Sequence, residues 1–181
     1  ALMCHHKAPH RHWEPAERHR DWYAEVDIPV PETFFDDYAT RSQATKAVHM
    51  RIAEHMQDLI DLKAEPPAGL SEREQALWRY QRYIKDYLRC VAAVDESTGR
   101  LLDLLDELGL AENTIVVYTS DQGFFLGDHG WYDKRLMYEE SLRMPMLVRW
   151  PGRTDPGSRC AEIITNIDFA PTFLAAAGVR V

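Results

Sequence analysis

Four residues in one short stretch bring together a pair of hard oxygen donors, an imidazole and an ammonium group. Asp121 offers a carboxylate, which is a common metal ligand, and Gln122 offers an amide. His129 follows in a Gly-Asp-His-Gly segment, and Lys134 comes shortly after it. This combination suits a site that holds a hard cation next to an anionic group.

Two apolar segments flank this stretch and predict strands. Residues 114–118 form an apolar, β-branched run typical of a buried strand, and residues 145–150 form a second one before Pro151. Open α/β sheets bind ligands beyond the carboxyl ends of their strands, which is where Asp121 falls. The connection of about 25 residues between the strands is long for a connector, which favours a functional loop.

The rest of the chain predicts mainly helices. Residues 71–109 predict one long helix, which starts at a capping box, carries apolar residues at helical spacing and ends at a glycine. A weaker helical pattern covers residues 39–63, and a short strand at 161–165 leads to a helix at 173–177, with Asp168 as its cap. Because the long helix leads directly into a strand, the fold class is α/β, with a sheet flanked by helices.

Composition excludes several classes of protein. The 181 residues are 45% hydrophobic, which suits one domain with a buried core, and the net charge of −8 argues against a nucleic-acid or anionic-membrane binder. No run approaches the ~18 apolar residues of a membrane span. The three cysteines, Cys4, Cys90 and Cys160, form no CxxC pair and leave the redox compartment open. The start at Ala1, without initiator or signal segment, indicates a fragment.

A histidine-rich segment near the start has two interpretations from its residues alone. Zinc is one, but the spacing fits no closed tetrahedral pattern, and a polar surface loop is the simpler one. The residues concerned are Cys4, His5, His6, His10 and His12.

Three segments, TIVVYTSDQG, LGDHGWYDKRLMYEESLR and MPMLVRWPG, resemble the later half of the catalytic domain of the sulfatases, in the alkaline phosphatase superfamily. The resemblance implies an alkaline-phosphatase-like, doubly wound sheet, mixed or parallel and flanked by helices. It extends over essentially the whole chain. Residues 1–181 are therefore expected to be a single fragment of a sulfatase catalytic domain that lacks the N-terminal, nucleophile-bearing part.

The resemblance also assigns the metal and sulfate ligands. In the family, an Asp-Asn or Asp-Gln pair after this strand binds one calcium ion, and Asp121 and Gln122 match it. The lysine downstream binds the sulfate group, and Lys134 matches it. A glutamine at 122, where the two-zinc phosphatases have a histidine, favours a single calcium-like ion over two zinc ions.

Further site residues follow from the same comparison. The family carries an Ala-Pro-His or similar triplet whose histidine contacts the sulfate ester, and His10 matches that histidine. A histidine there can assist the leaving oxygen, while Lys7 adds a nearby cation. His129 is a candidate for a second hydrogen bond around the sulfate or the metal ligands. The expected catalytic residues are thus His10, Lys134 and His129.

One essential part of a sulfatase does not occur in this sequence. The family's nucleophile is a formylglycine made from the Cys or Ser of a Cys/Ser-x-Pro-x-Arg motif, and none of the cysteines fits that motif. The paired aspartates that complete the calcium site are also absent. The isolated chain is therefore expected to be inactive, and the remaining metal ligands are expected outside it.

Three functions are compatible with the sequence. The leading one is a sulfuric ester hydrolase acting on an aryl sulfate or a sulfated carbohydrate. Aromatic residues such as Trp13 and Trp131 can stack on sugars, although such residues more often pack in a core. The second is a phosphodiester or phosphonate monoester hydrolase on the same scaffold. The third is a non-catalytic module that binds sulfated glycans through Lys7, Arg11 and Lys134. The missing part of the domain, or a second copy of the chain, is the expected protein partner.

Overall fold

A computed structural model describes residues 1–179, which fall into two compact units. The first unit comprises Ala1–Ala111 and Gln122–Arg143, and the second comprises Glu112–Asp121 and the segment from Met144 onward. In chain order the elements are α1 (Gln43–Lys46), α2 (Ile52–His55), a π-helical turn (Asp58–Leu62), α3 (Glu72–Glu107), β1 (Val116–Thr119), β2 (Phe125–Leu126), β3 (Tyr132–Asp133), α4 (Glu139–Leu142), β4 (Met146–Arg149) and α5 (Phe169–Ala176).

The long helix α3 forms where its local sequence predicts it. Ser71 Oγ accepts a hydrogen bond from the Glu74 N–H, and the Glu74 carboxylate accepts one from the Ser71 N–H at 2.8 Å. At the other end, Gly109 has φ +66°, which a residue with a side chain adopts only at a cost. None of the helices in residues 1–179 has the length and apolar character that crossing a bilayer requires.

The core of the first unit is an aromatic cluster packed on α3. Trp13, from the histidine-rich segment, is fully buried, and its ring centroid lies 4.6 Å from that of Tyr83 on the helix. Phe125 and Trp131 are also fully buried. The histidine-rich segment and the stretch after Asp121 are therefore anchored in the same core.

The helix predicted over residues 39–63 is wrong, because the chain breaks there into short pieces. Arg51 and Met56 have extended backbones, and they flank α2. Arg51 forms an isolated β-bridge with Trp131, and the buried Asp61 carboxylate accepts a hydrogen bond from Arg11 Nε. These tertiary contacts override the weak helical pattern.

The second unit contains one antiparallel strand pair, β1 with β4, in which Val117 faces Val148. The expectation that the first strand is buried is wrong in this structure: no residue of Val116–Thr119 is buried, and Tyr118 is 36% exposed. A strand is buried on both faces only when elements cover them. Among the residues that the structure describes, β1 pairs with β4 alone.

Two expectations near the end of the chain also need correction. Residues 161–165 are exposed and form no strand. Helix α5 begins at Phe169, earlier than predicted, because a capping box precedes it. Asp168 lies at the N-cap position of α5, as predicted, but its side chain makes no cap hydrogen bond to that helix. It accepts hydrogen bonds from the N–H and the hydroxyl of Thr165 instead, in the capping box of the short 3-10 turn Asn166–Asp168.

Gly123 is required by a close backbone approach. Its N–H donates to Ser141 O at 2.9 Å, and a Cβ on it would lie closer than 3.0 Å to the backbone oxygens of Glu140 and Arg143. We expect Gly123→Ala to destabilise the first unit by about 1–3 kcal/mol, measured by urea unfolding. Gly99→Ala is the matched control. It lies in α3 with open space around it, so alanine should stabilise the helix by up to about 1 kcal/mol. Equal effects of the two changes would contradict the steric account.

Candidate functional site

The stretch after Asp121 folds into the hairpin β2–β3. Phe125 pairs with Asp133, Leu126 pairs with Tyr132, and the Gly127 N–H closes the turn on Trp131 O at 3.0 Å. The residues just outside β2 and β3 thus meet at the open end of the hairpin. This pairing brings the amide of Gln122 and the ammonium of Lys134 to the same region.

An open cavity of about 420 Å³ lies at that end of the hairpin, within the first unit. Three predicted site residues, His10, Gln122 and Lys134, line it together. The complete lining is His10, Arg11, Gln122, Phe124, Tyr132, Asp133, Lys134 and Arg135. It contains three permanent cations against one carboxylate, so the cavity favours an anionic ligand.

The imidazole of His10 has a defined orientation. Its Nδ1 lies 2.8 Å from the carbonyl oxygen of Arg11, and a carbonyl only accepts, so Nδ1 carries the hydrogen. The other ring nitrogen, Nε2, is then a lone-pair acceptor in the neutral ring and a proton donor in the charged ring. This places a possible acid or base on the wall of an anion-binding cavity.

The two predicted lysines differ in their positions. Lys134 is half-buried on the cavity wall, and its Nζ lies 5.9 Å from the centroid of the Phe124 ring. Lys7 is exposed, its ammonium donates to Arg11 O at 2.6 Å, and it is not part of the cavity lining. Lys134 is therefore the lysine positioned to contact a ligand there, while Lys7 supports the loop that carries His10.

His129 lies in the turn of the hairpin and not on the cavity wall. It is 9% exposed, with φ +55°, and its Nδ1 is 2.8 Å from an oxygen of Asp36. Its backbone N–H donates to Thr33 Oγ1, and its carbonyl accepts from the Tyr38 hydroxyl. These contacts fasten the turn to residues 33–38. The sequence pattern alone gave no indication of this partner segment.

Asp36 is the carboxylate that binds His129 and Arg41 in these contacts. Burial alone would raise its pKa, but hydrogen bonds from the Tyr38 N–H, Arg41 and His129 lower the pKa to about 2. A carboxyl whose pKa is lower in the folded state than its ordinary 3.8 stabilises the fold above that pH. This contribution is lost as the pH falls towards 2.

We therefore expect Asp36→Asn to lower the free energy of unfolding at pH 6 and to have progressively less effect as the pH falls from 4 to 2. Urea unfolding at a series of pH values measures this. Asp37→Asn is the control, since the Asp37 side chain is exposed and bonds only the Ala39 N–H among the described contacts. A pH-independent difference between wild type and Asp36→Asn would contradict the assignment.

Sequence reasoning did not identify the ion pair that supports the cavity. The carboxylate of Asp61, which is 0% exposed, accepts from Arg11 Nε at 2.6 Å and Nη2 at 2.5 Å, and lies 3.0 Å from His12 Nδ1. Burial raises the pKa of Asp61, but the hydrogen bonds from Arg11, the Gln57 N–H and His12 outweigh it, so the pKa is below its usual value. No local pattern links Arg11 to Asp61, which is far away in the sequence.

Asp121 belongs to the second unit. Its side chain is exposed and accepts from Ser120 Oγ at 3.3 Å, while its backbone oxygen accepts from the Asn166 amide at 3.1 Å. No ion pair involves Asp121 in the described residues, nor do residues 1–179 contain three or more His, Cys, Asp or Glu side chains grouped as metal ligands. The cysteines Cys4 and Cys160 are exposed, and Cys90 is buried.

The chain belongs to the sulfatase family, because the Sulfatase family model matches residues 2–179. It is 42% identical to the N-acetylglucosamine-6-O-sulfatase of Bacteroides thetaiotaomicron, over 99% of this chain and 39% of that protein. The family resemblance seen in the sequence is thereby confirmed. The chain spans about two fifths of the length of this relative.

Solved structures confirm the fold class. One, a complex with its substrate D-glucosamine-2-N,6-O-disulfate, superposes with a TM-score of 0.88 and 40% identity, covering 97% of this chain and 43% of that one. A phosphonate monoester hydrolase from Silicibacter pomeroyi superposes with a TM-score of 0.67 at 21% identity, over 91% of this chain and 31% of that one. The chain is thus part of an α/β, alkaline-phosphatase-like domain, and its described strand pairs are antiparallel, as a mixed sheet allows.

Proposed function

We propose that this chain provides the sulfate-binding and leaving-group side of a sulfatase site that acts on a 6-O-sulfated amino sugar. The observation that carries the proposal is the cavity in which His10, Gln122 and Lys134 meet although the sequence separates them. The similarity to an N-acetylglucosamine-6-O-sulfatase over 99% of the chain supports the substrate class.

The cavity residues have complementary tasks in this proposal. Lys134 places its ammonium against a non-bridging sulfate oxygen, which carries negative charge throughout the reaction. As sulfur bonds to the nucleophile from another segment and its bond to the bridging oxygen breaks, His10 in its charged form donates the Nε2 proton to that oxygen. The sugar then leaves as a neutral alcohol and the imidazole becomes neutral. The bond from Nδ1 to the Arg11 carbonyl keeps Nε2 directed away from that backbone.

Asp121 and Gln122 remain the proposed calcium ligands. The donor set fits, since a carboxylate and an amide are hard oxygen ligands and Asp121 is exposed, without an ion pair in the described chain. When bound, the ion would withdraw charge from the sulfate oxygens. The remaining ligands are proposed to come from another part of the whole protein, since the paired aspartates that complete the site in the family do not occur in this sequence.

His129 and Lys7 act indirectly in this proposal. The Asp36–His129 pair holds the hairpin turn, and Lys7 holds the backbone next to His10. Both therefore position cavity residues rather than contact the ester.

The nucleophile is proposed to lie in another segment of the whole protein. None of the three cysteines begins a Cys-x-Pro-x-Arg motif, and no serine does so either. The chain therefore contains no residue that matches the family's formylglycine, and we assign the attacking role to none of its residues. The complete enzyme is accordingly this chain joined to the segment that carries the nucleophile.

The decisive experiment compares three ligands on the complete enzyme: N-acetylglucosamine 6-sulfate, its 6-phosphate analogue and an aryl phosphonate monoester. We expect sulfate release to have the highest kcat/KM. Faster hydrolysis of the phosphonate would instead indicate a phosphonate monoester hydrolase. Binding of the sulfated sugar without turnover would instead indicate a glycan-binding module.

A further inference from the structure

The cavity contains a second cation whose orientation is fixed from behind. Arg11 lines the wall next to His10, and its side chain is 28% exposed. Its Nε and Nη2 bind the fully buried carboxylate of Asp61. A guanidinium held along one edge by a carboxylate keeps its plane and its opposite edge in a defined direction.

The third nitrogen of the Arg11 guanidinium, Nη1, has only a weak contact among those described. Nη1 carries two N–H groups, and the one contact described for it is a long one of 3.5 Å to the Tyr132 hydroxyl. The guanidinium carbon also lies 5.3 Å from the centroid of the Tyr132 ring. The pKa of Arg11 is raised, chiefly by the hydrogen bond to Asp61, so the group stays charged. A ligand anion can therefore take hydrogen bonds from Nη1 without breaking the pair with Asp61.

Arg11 and Lys134 are anchored independently of each other. Arg11 belongs to the histidine-rich segment and is held by Asp61, while Lys134 follows β3 on the hairpin. The volume of about 420 Å³ lies within the range of ~300–1,000 Å³ typical of small-molecule sites. Two separately held cations in a site of this size match a small ligand with two anionic groups.

We propose that Arg11 is a specificity-determining residue, which binds a second sulfate group on the sugar whose 6-sulfate is held by Lys134. The inference rests on the proposed function. It deepens that function by predicting a preference for disulfated over monosulfated amino sugars.

The test measures kcat/KM of the complete enzyme on glucosamine 6-sulfate and on glucosamine 2-N,6-O-disulfate. Arg11→Ala should lose about 10- to 100-fold on the disulfated sugar, the value of a charge-assisted hydrogen bond, and only a few-fold on the monosulfated one. Arg11→Lys keeps the charge but loses the planar guanidinium, so its kcat/KM on the disulfated sugar should lie between those of the wild type and Arg11→Ala. The readout is the ratio of the two kcat/KM values.

Arg79→Ala is the matched control. Arg79 binds Asp58 with two nitrogens, at 2.8 and 2.9 Å, in the same manner as Arg11 binds Asp61, but it does not line the cavity. Arg79→Ala should leave the ratio of the two kcat/KM values unchanged. Unfolding curves of all variants show which of them are folded, and Arg11→Lys serves as the test variant if Arg11→Ala is not.

The outcomes separate the inference from the proposed function. An equal loss on both sugars in the Arg11 variants would mean that Arg11 only supports the fold, and the inference would be overturned. Failure of the wild-type complete enzyme to release sulfate from either sugar would overturn the proposed function, and the inference with it. A selective loss on the disulfated sugar supports both.

Discussion

Replacing Asp61 by alanine is expected to destabilise the first unit by about 3–5 kcal/mol, the usual cost of removing one partner of a buried ion pair. Asp61 is 0% exposed, and its carboxylate accepts hydrogen bonds from Arg11 and from the Gln57 N–H. Its removal would leave the Gln57 N–H and the inner nitrogens of the Arg11 guanidinium without the buried acceptor that they share. The free energy of unfolding, from urea curves followed by tryptophan fluorescence, measures the loss.

Asp58→Ala provides the comparison, because Asp58 also holds an arginine with both oxygens. Its side chain is 26% exposed, however, so this carboxylate is already partly solvated in the fold. We expect a loss of about 1 kcal/mol or less there. Because the pKa of Asp61 is lowered in the fold, its contribution should also fade as the pH drops below the ordinary value of 3.8. Similar losses for Asp58→Ala and Asp61→Ala would show that burial does not decide the cost.

The accuracy of the sequence predictions depends on how local their causes are. Helix α3 is set by neighbouring residues: the Ser71–Glu74 box, the helical spacing of apolar side chains and the glycine after Leu108. All of these can be read within a few positions. The break-up of residues 39–63 arises instead from distant partners, such as the bridge from Arg51 to Trp131, which no window of sequence contains.

The site shows the same division. Lys134 and His10 were found through the family's motifs, not through their spacing, and the structure brings them to one cavity. The partners that orient the cavity were not found, because Arg11–Asp61 and His129–Asp36 each join segments far apart in sequence. The Gly-Asp-His-Gly segment around His129 does not indicate in sequence that this histidine contacts Asp36. Roles that depend on such pairs could only follow from the fold.

The largest effect on activity is expected from Lys134→Ala. The proposal gives this ammonium the task of holding a sulfate oxygen in a cavity where one carboxylate faces three cations. Loss of one such oriented charge typically costs about 10²–10³-fold in rate. We therefore expect kcat/KM of the complete enzyme on N-acetylglucosamine 6-sulfate to fall by that factor, while the unfolding curve stays close to that of the wild type, because Lys134 is only half-buried.

Arg135→Ala distinguishes a specific contact from the general positive field of the cavity. Arg135 is the next residue and lines the same cavity, but its side chain is 70% exposed and its Nε donates to Asp133 at 2.8 Å. A charge that is solvated and already paired contributes little to binding, so only a few-fold loss is expected. If both variants lost activity equally, and high salt reduced the wild-type rate to the same level, the field alone would account for the effect. Lys134 would then have no particular contact with the ester, since salt screens a diffuse potential far more than a close contact.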